Sequence, residues 1–352
     1  MSSDLYKEAV NLLTQLIAIP SKSGDEKFLA DFLSKWIEKK GFKVNRIHNN
    51  LWIESIISEK APTILLNSHM DTVKEVAGWT IDPFIAEETN DLLYGLGSSD
   101  AGASLVSLLM AFIELSKINS REFNMVLLIS AEEENSGPKG ISSALEKIRN
   151  FDLAIVGEPT GLEMAICERG LIVLDCIAKG RAGHVAHRNG DNAILKAMKD
   201  VELLQELRFE KKSKFLGEVQ LEVTQISAGY QHNVIPDECS FVVDVRTNEN
   251  YSNEEILKIV ENQLESEVKA RSLRLKSSFI DPSHSLIKKA KKMGVNTFGS
   301  KTMSDQALIS KPSVKIGPGK SSLSHKADEH IEKLQIRKAI DLYINLLKDY
   351  KI

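Results

Sequence analysis

Four short apolar runs constrain this chain most: residues 62–67 (Pro-Thr-Ile-Leu-Leu-Asn), 124–131 (Asn-Met-Val-Leu-Leu-Ile-Ser-Ala), 152–156 (Asp-Leu-Ala-Ile-Val) and, more weakly, 313–316 (Ser-Val-Lys-Ile). Each is strand-length and continuously apolar rather than alternating, the pattern of a strand buried on both faces. Helical periodicity at 102–117, 140–149 and 332–348 falls between or after them. Strands alternating with helices predict an α/β catalytic domain with a mostly parallel sheet flanked by helices. Two helices precede it. In 4–18, Leu5, Leu12, Leu13 and Leu16 lie near one face; in 25–40, Phe28, Phe32 and Trp36 form one row and Leu29, Leu33 and Ile37 the next, with Gly41 placed to end the helix.

The middle of the chain reads differently. Leu171–Lys179, Gly217–Ile226 and Glu238–Arg246 look like strands, interleaved with helices near 190–205 and 253–266. We expect an inserted α+β domain at 168–278, leaving 1–167 and 279–352 for the catalytic domain. The 352 residues agree with two domains of about 150 residues or more each.

Lys+Arg is 45 against 49 Asp+Glu, a formal charge of −4, so no overall positive field is present to hold nucleic acid. The clusters Lys211–Lys214 and Lys288–Lys292 read as solvated faces. The cysteines Cys167, Cys176 and Cys239 show no paired spacing and suit a reducing compartment. No apolar run approaches 18 residues and the first residues lack a leader pattern, so a soluble cytoplasmic protein is expected.

Polar residues gather where the runs stop. The first ends in Ser68-His69-Met70-Asp71, the second in Glu132-Glu133-Glu134, the third in Gly157-Glu158-Pro159-Thr160; the fourth leads to His325, and Gly95–Gly102 carries Asp100 into the next helix. In open α/β sheets, sites form outside the carboxyl ends of the strands. Any one of these motifs alone is an ordinary strand end or turn; their shared position is what singles them out. Several carboxylates cannot crowd together ionised without counter-charge, and no Lys or Arg lies at 69–71, 98–102, 131–135 or 157–160. A divalent cation is the economical compensation. Two imidazoles with carboxylates and no thiol suit Zn²⁺ or a similar transition ion rather than Ca²⁺, and the number of donors suits two ions sharing a bridging carboxylate. Gly317-Pro-Gly-Lys-Ser-Ser322 is no phosphate loop, because the glycine required five residues before Gly319 is Val314.

The ordered set His-x-Asp, Gly-x-x-Asp, Glu-Glu, Glu-Pro-Thr and a late His resembles the acetylornithine deacetylase and succinyl-diaminopimelate desuccinylase family of co-catalytic zinc hydrolases. Glu168–Asp175, Gln231–Pro236 and Ser324–Glu329 look closest to its acetylornithine-deacetylase-like branch. The resemblance implies His69 and Glu158 on one ion, Glu134 and His325 on the other, and Asp100 between them, with two Zn²⁺ per subunit and Co²⁺ as a possible substitute. It implies Asp71 as the residue that fixes the His69 tautomer, and Glu133 as general base. The inserted domain would be the lid and dimerisation domain of a homodimer. Its Gly180-Arg-Ala-Gly183-His184 would send His184 into the partner's site to stabilise the oxyanion, with His187 a less well spaced competitor; Asn233 and Arg246 would face the substrate. Glu132 stands where the family usually has Asp, the lysine often found shortly after the bridging Asp is missing, and a cis peptide is implied at Asp100–Ala101.

The activity so implied is hydrolysis of an N-acyl amino acid amide, first N-acetyl-L-ornithine to L-ornithine and acetate in arginine biosynthesis. The alternatives are N-succinyl-ornithine or succinyl-diaminopimelate desuccinylase, N-acetylcitrulline deacetylase or a dipeptidase. A non-catalytic metal-binding protein is the alternative of a different class.

Overall fold

The computed structural model describes residues 2–352. Its contacts divide the chain into two compact units. The first comprises residues up to Ile166, Ile280–Phe298 and Ser304–Ile352; the second comprises Cys167–Phe279 and Gly299–Met303.

The first unit is a helix-flanked sheet. Its strands lie in the order Asn45–Ile47, Asn50–Ser55, Asn124–Ser130, Thr63–His69, Leu153–Val156, Ser313–Lys315, then the start of Met164–Glu168. The four apolar runs of the sequence are the central strands, and they pair in parallel. The flanking pairs, Asn50–Ser55 on Asn124–Ser130 and Ala165 on Lys315, are antiparallel. Every residue of Thr63–His69 and Asn124–Ser130 is buried, which explains why the runs are continuous: both sheet faces are covered. On one face Leu65, Val126, Leu128, Ala154 and Val156 meet Ile141 and Ala144. The helix Ala103–Ser116 packs against the sheet, and the helices Ser2–Ile17 and Lys333–Leu347 pack on it.

One expectation needs correction, and two readings gain detail. The segment Ser98–Ser116 is long and apolar enough to cross a membrane, but its backbone is non-helical at Asp100 and Ala101 and most of it is buried inside the protein. An apolar helix surrounded on all sides is what a core helix looks like. In the helix Lys27–Lys39 the aliphatic row Leu29, Leu33 and Ile37 faces the core, whereas Phe28 is 71% exposed and Phe32 and Trp36 are half-buried. Periodicity alone does not say which of two adjacent rows turns inward. The helix expected over 140–149 is only Ile141–Leu145; Ile148 still reaches the core because a turn bonds its N–H to the Ala144 carbonyl.

Three very short strands, Glu87–Glu88, Leu92–Tyr94 and His330–Glu332, form a small antiparallel sheet. Segments of two or three residues leave no periodic signal.

The second unit is a four-stranded antiparallel sheet in the order Gln220–Ala228, Glu238–Arg246, Leu171–Lys179, Glu267–Ala270. Leu171–Lys179 alternates buried and half-buried residues, the mark of a sheet covered on one face. Ile172, Leu174, Cys176, Phe241, Val243 and Val245 form the core with Ala193, Ala197, Ile256 and Val260 of two helices, Ala193–Glu206 and Asn253–Gln263. Ser252 and Glu255 start the latter helix with a reciprocal cap. All three cysteines are buried and unpaired.

Candidate metal centre

Strand register assembles the cluster. His69 lies opposite Ser130 in the parallel pair, so the loop from Ala131 to Glu134 emerges beside it. Asn67 lies opposite Val156, which brings Glu158 alongside, and Val156 lies opposite Lys315, whose strand leads on towards His325. Parallel strands in register deliver their carboxyl ends to one edge. Asp100 comes in at the same edge from the turn before the core helix. That turn begins at Gly97 (φ +75°), where a Cβ would come within 2.6 Å of Thr72 Cγ2, so only glycine fits. The Asp100–Ala101 peptide is cis, as the resemblance implies.

The two nitrogens of His69 face different ways. Nδ1 is 2.9 Å from the Asp71 backbone carbonyl and 3.5 Å from the Asp71 carboxylate. Nε2 looks into the cluster, 3.3 Å from Asp100 Oδ1, 3.7 Å from Glu158 Oε1 and 4.0 Å from Glu133 Oε2. The other Asp100 oxygen, Oδ2, is 3.8 Å from His325 Nε2, and His325 Nε2 is 2.9 Å from Glu134 Oε2. Asp100 thus offers one oxygen to each imidazole. Donor atoms of His69, Asp100 and Glu134 all lie within 4.8 Å of one another.

Asp71 does more than the tautomer role implied for it. The carbonyl, not the carboxylate, is the nearer partner of the ring, while Oδ1 and Oδ2 accept the N–H groups of Glu133 and Glu134, each at 3.1 Å. Two further buried side chains hold the same loop: Asn50 Oδ1 accepts the Ala131 N–H at 3.0 Å and Glu26 Oε1 the Glu132 N–H at 3.2 Å. Four successive loop amides are therefore fixed by side chains. Glu132 itself takes a left-handed conformation, φ +54°, a region that residues other than Gly, Asn and Asp seldom enter.

The electrostatics show what such a cluster needs. Burial pushes the Glu158 carboxyl up to about 8, and burial first, then neighbouring acids, pushes Glu133 well above the usual range. Burial would lower His69, but Glu133, Asp100, Asp71 and Glu158 outweigh it and hold the ring well above its ordinary value. His325 is also raised, chiefly by its bond to Glu134. Glu158 Oε1, buried, has no hydrogen-bond partner among the described residues. Crowded carboxylates, imidazoles, no thiol and an unsatisfied buried carboxylate oxygen fit a divalent transition ion well.

The remaining residues of interest belong to the second unit. His184 is exposed and pairs with Val234 across a two-residue ladder, where its Nδ1 accepts the Ala186 N–H at 3.2 Å. The Asn233 carbonyl accepts the Val185 N–H at 3.1 Å, so His184 and Asn233 are neighbours. The His187 ring is 5.5 Å from that of His184. Arg246 is engaged by Asp244 of its own strand through its Nε and Nη2 edge, at 2.7 and 3.0 Å.

Sequence reasoning missed three buried acids near the cluster: Glu26, Asp305 and Glu329. Asp305 accepts a 2.5 Å bond from the Ser130 hydroxyl and is pushed up to about 7 by burial. Glu26 stands just before the helix Lys27–Lys39 and Asp305 opens a single 3-10 turn, neither within a motif. Glu329 had a signal, since it closes the Ser324–Glu329 stretch.

A parallel sheet whose carboxyl edge gathers imidazoles and carboxylates in this way offers the donors of a divalent-metal site, of the kind used in metal-assisted hydrolysis. The sequence model of peptidase family M20/M25/M40 matches residues 65–349. The chain belongs to that family, and it is accordingly a metal-dependent hydrolase of amide bonds. Over 381 residues it is 28% identical to a succinyl-diaminopimelate desuccinylase of Parvibaculum lavamentivorans and 25% identical to succinyl-diaminopimelate desuccinylase 2 of a Ruegeria species; each match covers 97% of this chain and 95% of the relative. Among solved structures, the fold is shared with an M20 metallo-carboxypeptidase of Sulfolobus solfataricus (TM-score 0.75, 19% identity, covering 97% of this chain and 98% of that one). It is also shared with a dinuclear metal-binding M20 peptidase of Bacillus subtilis (TM-score 0.74, 15% identity, 98% of each chain). The branch-level likeness to acetylornithine deacetylases gains no support from these relatives.

Proposed function

We propose that the chain hydrolyses the amide bond of an N-acyl amino acid. The observation that carries this reading is Asp100 set between His69 and His325, one oxygen towards each, with Glu134 and Glu158 alongside. In it, His69 and Glu158 would hold one ion, Glu134 and His325 the other, and Asp100 both, with Zn²⁺ the proposed ion and Co²⁺ a substitute. Bound there, the ions supply Lewis acidity for the scissile carbonyl and charge for the oxyanion.

The chain's own groups do the rest. Glu133 takes a proton from the attacking water and returns it to the leaving amine, so that one water is consumed and the acid and amine are released. Asp71 holds the backbone at Glu133 and Glu134 and, through its carbonyl, keeps the Nδ1 proton of His69 in place, leaving Nε2 free to bind metal. His184 would steady the developing oxyanion from a partner subunit, with Asn233 beside it on the substrate. Arg246, held by Asp244 through Nε and Nη2, would offer its remaining guanidinium N–H groups to a substrate carboxylate. The inserted unit, 168–278, is on this reading the lid and dimerisation domain beside a catalytic domain of 1–167 and 279–352, in a cytoplasmic homodimer. Light scattering tests the dimer: a dimeric mass is expected, and a fully active monomer would break the role given to His184.

For the acyl group, the named relatives favour an N-succinyl diamino acid, succinyl-diaminopimelate above all. The motifs at Gln231–Pro236 and Ser324–Glu329 favour N-acetyl-L-ornithine. N-succinyl-ornithine, N-acetylcitrulline and dipeptides follow. A panel of these substrates with Zn²⁺ or Co²⁺ added decides the matter. One N-acyl amino acid should exceed the others by roughly 10²-fold or more in kcat/KM, because a polar group built to be bonded rejects a substrate that leaves it unpaired. Cleavage of dipeptides alone would remove the proposal.

A further inference from the structure

The search for chemistry beyond this reading leads to Glu329, an acid buried to 2% exposure that the mechanism does not use. The small sheet puts it in place. His330 lies opposite Tyr94, and the Gly95 N–H bonds to the Glu329 carbonyl at 3.0 Å. Its side chain then turns into the Gly97–Asp100 turn. Oε2 accepts the Gly97 N–H at 3.0 Å; Oε1 accepts the Ser99 N–H at 2.8 Å and the Asp100 N–H at 2.9 Å. One carboxylate therefore satisfies three amides of the turn that carries Asp100, including that of Asp100 itself. Glu329 also stands four residues after His325. The clamp thus joins two segments more than 200 residues apart in sequence, and each supplies a side chain to the cluster.

We infer that Glu329 is a positioning residue that sets where the Asp100 carboxylate and the His325 segment stand relative to each other, and through them governs metal affinity. This rests on the reading of Asp100 and His325 as metal-holding. An ionised carboxylate is acceptor-only, with two oxygens for several donors. Glutamine keeps the length but offers one acceptor oxygen, and its amide would point a donor at a donor. Aspartate keeps both oxygens on a stem one methylene shorter. Loss of such an outer partner costs about 10–100-fold in metal affinity.

The test is titration of metal-free wild type, E329Q, E329D and D100N with Co²⁺, read by equilibrium dialysis and by the visible absorption of the bound ion, with circular dichroism to confirm folding. Expected for E329Q is a rise of about 10–100-fold in the Co²⁺ dissociation constant and an altered absorption band, with E329D between it and wild type. A purely structural role would lower the melting temperature and leave both metal readouts alone. Wild-type affinity and spectrum in folded E329Q overturn the inference. Should E329Q not fold, E329D decides by the same readouts: weakened binding supports the clamp and wild-type binding overturns it. If D100N loses the metal while E329Q keeps it, only the inference falls. If the wild type binds no Co²⁺, or D100N binds it unchanged, the metal reading of the site falls and takes the inference with it.

Discussion

Glu133→Gln lowers kcat by about 10²–10⁴-fold, the range for losing a positioned general base, while metal content and melting temperature stay near wild type. The argument is geometric. Glu133 lies in the loop held by Asn50, Glu26 and Asp71, with its carboxylate 4.0 Å from His69 Nε2 and facing the interior of the cluster. The amide is isosteric, and the loop is held through its backbone, so the substitution removes proton transfer and little else. Steady-state kinetics on the best substrate, with metal quantified in the same sample, check it. Turnover within a few-fold of wild type would take Glu133 out of the base role. Loss of metal in parallel would show that it is a ligand.

Removing the metal has the second large effect, on activity and on the pH dependence of stability. Chelation should abolish turnover, with recovery on adding Zn²⁺ or Co²⁺. It also leaves the buried acids without counter-charge. The sign follows from the pKa directions. Burial raises the folded-state value of Glu158 to about 8 from the usual 4.5, and Glu133 is raised well above that usual value too. Burial likewise lifts Asp305 to about 7 from 3.8. For groups raised on folding, the stabilisation is complete below the unfolded value and is lost as pH climbs through the folded one. His69 and His325, also raised, act in the same direction. Asp71 and Asp100 are lowered overall, against a burial effect that alone would raise them, so their contribution is lost on acidification instead. The metal-free protein should therefore melt at a lower temperature at pH 8.5 than at pH 6, and added metal should stabilise it more at pH 8.5. A chelated protein equally stable at both would show that the buried acids do not carry these shifts.

Much of the site could be read in one dimension. His69, Glu134, Glu158 and His325 each follow an apolar run that becomes a central parallel strand, and Asp100 stands before the core helix that follows. Continuous apolarity marks burial, burial on both faces marks a parallel sheet, and a parallel sheet has one edge where strands end together. The helix row that turned outward at Phe28 was not legible, because two neighbouring rows carry the same period. Nor were Glu26, which bonds a backbone amide of another loop, and Asp305, which accepts from the Ser130 hydroxyl; a single acid outside any motif looks the same whether it bonds a neighbour or faces water. Arg246 carried the right chemistry for a substrate carboxylate, and only the coordinates show Asp244 on its fork.

What the sequence by itself determined is the set of strands, their buried character and the residue types delivered at their ends, because hydrophobic period and side-chain chemistry are local properties. The tertiary structure alone decided the rest. Strand register set His69 against Ser130 and Asn67 against Val156, the small sheet set His330 against Tyr94, and with them came the buried carboxylates that hold both loops. These depend on which backbone amides remain unpaired once the chain has packed, and a local pattern holds no record of that.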